Sequence, residues 1–439
     1  MAAPLPPRRR HRLRFGVRGL MILVLGAGLL AGGLDRVRRA AREQRAAVEA
    51  IRAGGGMVQF DWQRPVGGPR PKEPPAPRWL RHWLGDEPFQ VVRAAYYRRP
   101  PDPGALEALA RVSSLEDVGL YGPVQFSTGL RHLRGLPRLH TLKLGGCGDD
   151  AALADVATLA RLRELDVDRS LATDAGFARL AALPDLARLV LYGNRSLTGP
   201  GLARLLTGMP HLRDLEVSKE IYEPMTEPIG PAVAALARHH PGLERLALRG
   251  FVVEDDDLRR IGQLAGLHEL DLDHTSIVGV GLRHLRPLAG LTRLVLNEQW
   301  AAAADADIAP LADLTALEDL DLGSSYITDA GLVPLTRLTR LRRLRLSGSY
   351  VTDAGLVAFG RLPRLERLEL ADDPGITDIG LRVLARLPSL RSLDVGRTGV
   401  TAAGVARFHQ VALRPIAVAN DAVGDVPAGR PHLPISSRR

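Results

Sequence analysis

The residues able to do chemistry are few, and most argue against catalysis. Glu269, Asp271 and Asp273 alternate along one segment. An extended backbone turns such residues to the same side, and three convergent carboxylates suit a hard divalent cation. Arg245, Arg249 and Arg293 fall at matching places in the neighbouring segments, so neutralisation by arginine competes with a metal there. His239 and His240 precede Pro241. Adjacent side chains diverge and no acidic partner is spaced to complete a site, so they read as a solvated pair. Cys147, flanked by Gly145, Gly146 and Gly148, is the only cysteine. That excludes an intramolecular disulfide and a thiolate zinc cluster, and Cys147 reads as structural. No GxSxG, HExxH or Walker loop is present. The sequence therefore points away from an enzyme, with no cofactor, no metal and no small-molecule substrate.

Aromatic residues are scarcer and more informative. Trp300, Tyr326 and Tyr350 each lie six residues beyond a leucine (Leu294, Leu320, Leu344), in a chain with only 4% aromatics. A shared offset places them in one line if the leucines stack. Exposed aromatics so arranged serve as interface anchors; the competing reading is packing at the edge of a sheet. With Tyr192, Asn297, Arg343 and Arg345 they make the candidate surface for a protein partner.

The elements that position these residues follow from a repeat. The pattern L-x-x-L-x-x-L-x-L recurs, as in Leu338, Leu341, Leu344 and Leu346, and again in Leu362, Leu365, Leu368 and Leu370. Strand anchors fall at Val118, Leu142, Leu165, Leu189, Leu215, Leu246, Leu270, Leu294, Leu320, Leu344, Leu368, Leu393 and Ile416. Their spacing is 23 to 26 residues, except 31 between Leu215 and Leu246. Leu-x-Leu turns two side chains inward from one short strand, and the intervening residues face outward. A second half-repeat reads ITDAGL (Ile327–Leu332), VTDAGL (Val351–Leu356) and ITDIGL (Ile376–Leu381). Its threonine can cap a helix, and its aspartate sits where the helix dipole favours an anion.

This unit resembles the leucine-rich repeat family, and its ITDAGL form is similar to the ribonuclease-inhibitor-like subclass. The resemblance covers about residues 90–420 and implies an α/β solenoid: a curved parallel sheet with helices or turns on the convex side. The position that the family fills with a ladder asparagine holds Cys147, Ser170, Asn194, Thr275, Ser325, Ser349, Asp373 and Thr398. The layout is similar to bacterial single-span proteins that carry such an array outside the membrane. That implies a protein-interaction role.

On the expected concave face, charges alternate from coil to coil. Glu269 should lie beside Arg245 and Arg293, Asp319 between Arg293 and Arg343, and Asp321 next to Arg345. Exposed pairs of this kind are worth at most about 1 kcal/mol each. The 31-residue interval, rich in proline, requires Lys219–Gly230 to bulge from the arc, and a bulge on a regular scaffold is a place for function.

Charge is unevenly distributed. The net charge is +10, yet residues 1–99 hold 20 Lys or Arg against 7 Asp or Glu, and residues 100–420 hold 36 against 40. The high pI is thus an N-terminal property, which argues against nucleic-acid binding by the array. Residues 1–18 form a basic tail. Residues 19–34 are apolar and, as a helix at about 1.5 Å per residue, reach roughly 24 Å, short of a hydrocarbon core of about 30 Å. They read as a transmembrane or signal-anchor helix, with the array extracytoplasmic. The alternative is a cleaved signal peptide and a secreted binding protein. Residues 35–86 read as a basic helix (35–53), a strand (57–62), a Pro-rich linker and a short helix at Trp79, Leu80, Trp83 and Leu84 that caps the solenoid over 87–420. Residues 421–439 read as a disordered tail. A regulatory subunit of an enzyme complex, working through the 219–230 bulge, is a further alternative.

Overall fold

The computed structural model describes residues 17–63, 73–99, 101, 103–122, 129–146, 148–220, 227–277, 281–297 and 305–420. Among them the backbone forms one fifteen-stranded sheet whose strands follow chain order. The first strand runs antiparallel to the second, and every later pairing in that sheet is parallel. Each coil contributes a strand to the concave face and a helix or 3₁₀ turn to the convex face, the expected α/β solenoid.

The leucine spacing fixes the register. Val118 pairs with Leu142, Leu246 with Leu270, and Leu344 with Leu368. Both leucines of each Leu-x-Leu are buried, so that Leu270 and Leu272, or Leu344 and Leu346, belong to one aliphatic core that runs the length of the array. One expected anchor shifts. The residue opposite Leu393 is Val418, not Ile416. The last coil has a longer helix, Ala402–Val411, and its strand begins two residues later; Ile416 is still buried, in front of the strand. Ahead of the first anchor, β2 (Val92–Tyr97) pairs with the strand of Val118, Ala95 opposite Val118, within the segment 89–97 that reads as the first strand in the sequence.

Four residues past most of the anchors the chain leaves the strand with positive φ. Glycine, which lacks the Cβ that penalises this region, occupies the place at Gly146, Gly193, Gly250 and Gly348, and Arg169, His274, Ser324, Asp372 and Arg397 adopt it in other coils.

The convex face explains the TDxG motif. Thr173, Thr198, Thr328, Thr377 and Thr401 each accept a backbone N–H of the helix they precede, as expected of caps. The aspartates do more than complement a dipole. Asp150 accepts both the N–H and the hydroxyl of Thr173 in the next coil, at 2.7 and 2.8 Å. The same pair of hydrogen bonds joins Asp174 to Thr198, Asp305 to Thr328, Asp329 to Thr352, Asp353 to Thr377 and Asp378 to Thr401. Each threonine donates to the aspartate of the coil before, and each aspartate accepts from the threonine of the coil after, so the motif is an inter-coil clasp. The described clasps form two blocks, one ending at Thr198 and one starting at Asp305.

Between the blocks lies the irregular interval. Residues 221–226 of the expected bulge lie outside the described residues, but its two ends are pinned. The Lys219 ammonium pairs with Glu227 at 2.7 Å and donates to the Leu197 carbonyl at 2.9 Å, while Glu227 accepts the Gly199 N–H. Val252–Val253 and Ser276–Ile277 add a two-stranded parallel sheet at this level.

At the N-terminal end, the helix α1 (Val17–Ala53) runs through the expected apolar segment and basic helix without a break. Among the described residues no helix is long and apolar enough to cross a membrane. The far end of α1 buries Ala47, Val48 and Ile51 against the first coil. β1 (Gly56–Phe60) pairs with β2 (Val92–Tyr97) and closes the sheet edge. These two elements cap the solenoid. Trp79 of the helix expected to do so is 71% exposed.

Candidate functional site

On the concave face, the alternating charges meet as the register requires. Glu269 sits opposite both Arg245 and Arg293. Asp319 pairs with Arg293 on one side and with Arg343 on the other, the latter at 2.8 Å. Asp321 meets Arg345 at 3.3 Å. The strength of these contacts departs from expectation. Asp214, Glu216 and Asp271 are buried although they alternate with the inward leucines. Arg249 clamps two of them, reaching Glu216 at 2.6 Å and Asp271 at 2.6 Å. Burial opposes the charge on Arg249, but Asp271 and Glu216 outweigh it and raise its pKa further. These are buried ion pairs, and removing one partner from such a pair is costly.

The same burial disfavours charge on carboxylates with weaker compensation. Burial pushes Asp166 and Asp321 up to about 6 each, against the opposing pull of Lys143 and Arg345 respectively. Asp373, at the ladder position, is pushed up to about 7 by burial. It accepts from the Ser349 hydroxyl at 3.0 Å, and its other oxygen is buried without a partner among the described residues. The other described ladder residues bond to backbone. Asn194 donates to the Val167 carbonyl and accepts the Ser170 N–H, while Thr275, Ser325 and Thr398 donate to carbonyls three residues back.

The stacked aromatics provide the most distinctive surface. Tyr326 and Tyr350 are 54% and 61% exposed. Their ring centroids lie 5.7 Å apart with planes 17° from parallel. They line a groove of about 480 Å³ together with Asp372, Pro374 and Gly375. Ser324, Gly348 and Ser349 line it as well. Asp372 is held in a two-point pair by Arg397, which lowers its pKa.

The other expected partner residues scatter. Arg343 and Arg345 lie on adjacent concave columns near this ledge but are engaged by Asp319 and Asp321. Tyr192 is half-buried, several coils away, with the Arg169 guanidinium 5.3 Å from its ring centre. Asn297, three residues past its anchor, is only 3% exposed. Trp300 and Cys147 lie outside the described residues. His240 is not solvated as expected. It is buried, its Nε2 donates to the Leu206 carbonyl at 2.7 Å, and burial lowers its pKa. Asp271, one of the three alternating carboxylates, is committed to Arg249, and among the described residues no group of three or more His, Cys, Asp or Glu could hold a metal ion.

Sequence reasoning missed Arg249 as a clamp and Asp373 as a strained carboxylate. Aspartate where other coils place serine, threonine or asparagine was the available signal for the second.

No family model matches the chain, and no curated protein matches it. Among solved structures it is similar to an internalin (inlF) from Listeria monocytogenes, with 20% identity and a TM-score of 0.48 over 68% of this chain and 84% of that one. The solenoid is established by the chain's own strand register.

Proposed function

We propose that this protein is a non-enzymatic interaction scaffold that engages a protein partner through the Tyr326–Tyr350 ledge. The observation that carries the reading is the pair of stacked, half-exposed tyrosines beside an open groove. Large aromatic faces left in water favour a surface that a partner covers, and the neighbouring concave charges are already neutralised by one another. Arg343 and Arg345 form the polar margin of the same surface.

We further propose that residues 19–34 tether the chain to a membrane, with the array on the extracytoplasmic side. The apolar run between two arginine clusters supports this, as does the continuity of α1 into the buried cap residues Ala47, Val48 and Ile51. Such a tether would hold the solenoid close to the bilayer.

The test is affinity capture by the full-length chain, run in parallel with the Tyr326→Ala/Tyr350→Ala variant, after fractionation of the native host. The reading expects the chain in the membrane fraction and a partner retained by wild type alone. A shortened chain in the soluble fraction would favour the secreted alternative, and equal capture by both chains would remove the ledge from the binding surface.

A further inference from the structure

We propose that the N-terminal third of the concave face is a second docking surface, independent of the tyrosine ledge, and that it takes an arginine side chain from a protein partner.

The surface begins with two glycines. Gly119 and Gly145 stand at outward-facing places where the next strands carry Lys143, Asp166, Asp168 and Tyr192. A Cβ on Gly119 would lie 2.6 Å from the Tyr96 ring, and one on Gly145 would lie 2.5 Å from the Tyr121 ring. A larger residue at either place would displace those rings. The glycines therefore let each tyrosine lie across the neighbouring strand, close to the sheet, and Tyr121 keeps 36% of its surface in solvent. Its hydroxyl is near two carboxylates of the coil beyond. Burial, followed by Asp166, Tyr96 and Asp168, pushes Tyr121 up to about 12.

Those carboxylates lack what the others on this face have. Arg188 and Arg245 both pair with Asp214, and Arg249 serves Glu216 and Asp271 together. Arg249 lies three residues past its anchor, and its two carboxylates lie one residue past theirs on the strands to either side. Asp166 also lies one residue past its anchor. The places corresponding to Arg249 on the strands beside it hold Gly145 and Tyr192, neither of them cationic. No ion pair reaches Asp166 among the described residues; Lys143 attracts it from a distance. Asp168 has one oxygen buried without a hydrogen-bond partner among the described residues. Arg169, 3.5 Å from that oxygen, also lies against the Tyr192 ring and 3.5 Å from Glu220.

The chemistry selects a guanidinium. It is planar, stacks on an aromatic face and directs N–H donors to two acceptors at once. The molecule already uses one arginine between two concave carboxylates, at Arg249. An ammonium is a compact point charge and gains less from the ring. An anionic partner would meet Asp166 and Asp168 as like charges.

The experiment titrates the full-length chain in detergent micelles with a fluorescent Gly-Arg-Gly-Arg-Gly peptide at neutral pH, reading anisotropy. The Gly-Lys-Gly-Lys-Gly peptide serves as comparison. Saturable binding of the arginine peptide is expected, at least about threefold tighter than that of the lysine peptide. The Asp166→Asn/Asp168→Asn variant should weaken it at least about tenfold, and Tyr121→Ala about fivefold. Glu107→Gln, which neutralises an exposed carboxylate on the helix Pro103–Ala110, should leave it unchanged. The asparagine variant should melt no lower than wild type, since it removes charge that burial opposes. It therefore decides the matter even if Tyr121→Ala fails to fold. Absence of saturation, equal affinity for the lysine peptide, or binding unchanged in the asparagine variant would overturn the proposal. An equal loss in Glu107→Gln would overturn it too, because it would mark a general attraction between charges.

Discussion

Asp353 and Thr377, in consecutive coils, are joined twice: the Asp353 carboxylate accepts the Thr377 N–H at 2.8 Å and the Thr377 hydroxyl at 2.5 Å. It also accepts the Gly380 N–H at 3.0 Å. A Cβ on Gly380 would lie 2.3 Å from an Asp353 oxygen and 2.6 Å from a Leu356 methyl. The three conspicuous letters of the TDxG motif therefore describe one contact seen from both sides.

Gly380→Ala should destabilise the protein by about 1–3 kcal/mol through overpacking. Asp353→Ala should also destabilise it. Because the two residues share a single contact, the double variant should cost less than the sum of the single ones. Denaturant melts of the four proteins check this, and strict additivity would mean that the clasp does not depend on the glycine.

Recognising that clasp required register. Within one coil, Thr before Asp reads as a helix cap, which it is, but the second partner of each aspartate lies 23 or 24 residues along the chain. Leucine spacing, by contrast, is local and repeated, so strand order, core and the pairing of Asp319 with Arg343 were readable directly. The stack of Tyr326 on Tyr350 was readable for the same reason. Burial on the concave face was not, because it depends on side chains of neighbouring coils, as where Arg249 reaches both Glu216 and Asp271 on the strands to either side. The burial of Asn297, three residues past its anchor, was not readable for the same reason.

Arg249→Leu should leave Glu216 and Asp271 buried without their shared counter-charge. Removing one partner of a buried ion pair costs about 3–5 kcal/mol. A thermal melt should show the loss at neutral pH. An unchanged melting temperature would place these groups in contact with water.

Asp373 gives a pH signature. Its folded pKa, about 7, lies above its ordinary value of 3.8. A carboxyl raised in this way stabilises the fold fully below the ordinary value, and that contribution is lost as pH rises through the folded value. Stability attributable to Asp373 should therefore decline between about pH 4 and pH 7. Asp373→Asn should melt higher than wild type at pH 8, by at most about 4 kcal/mol, and the gain should vanish near pH 4. Melts across that range in both proteins check the sign, and a gain that grows toward acid would contradict it.

The account turns on whether the tyrosine ledge is a binding surface or part of the fold. The most direct measurement compares wild type with Tyr326→Ala and Tyr350→Ala for two quantities: melting temperature and affinity for the captured partner. The account predicts melting within about 1 kcal/mol of wild type, the loss of one exposed ring stack, together with a loss of at least about 2 kcal/mol in binding. Unchanged affinity in folded variants, or a collapse of stability in both, would contradict it.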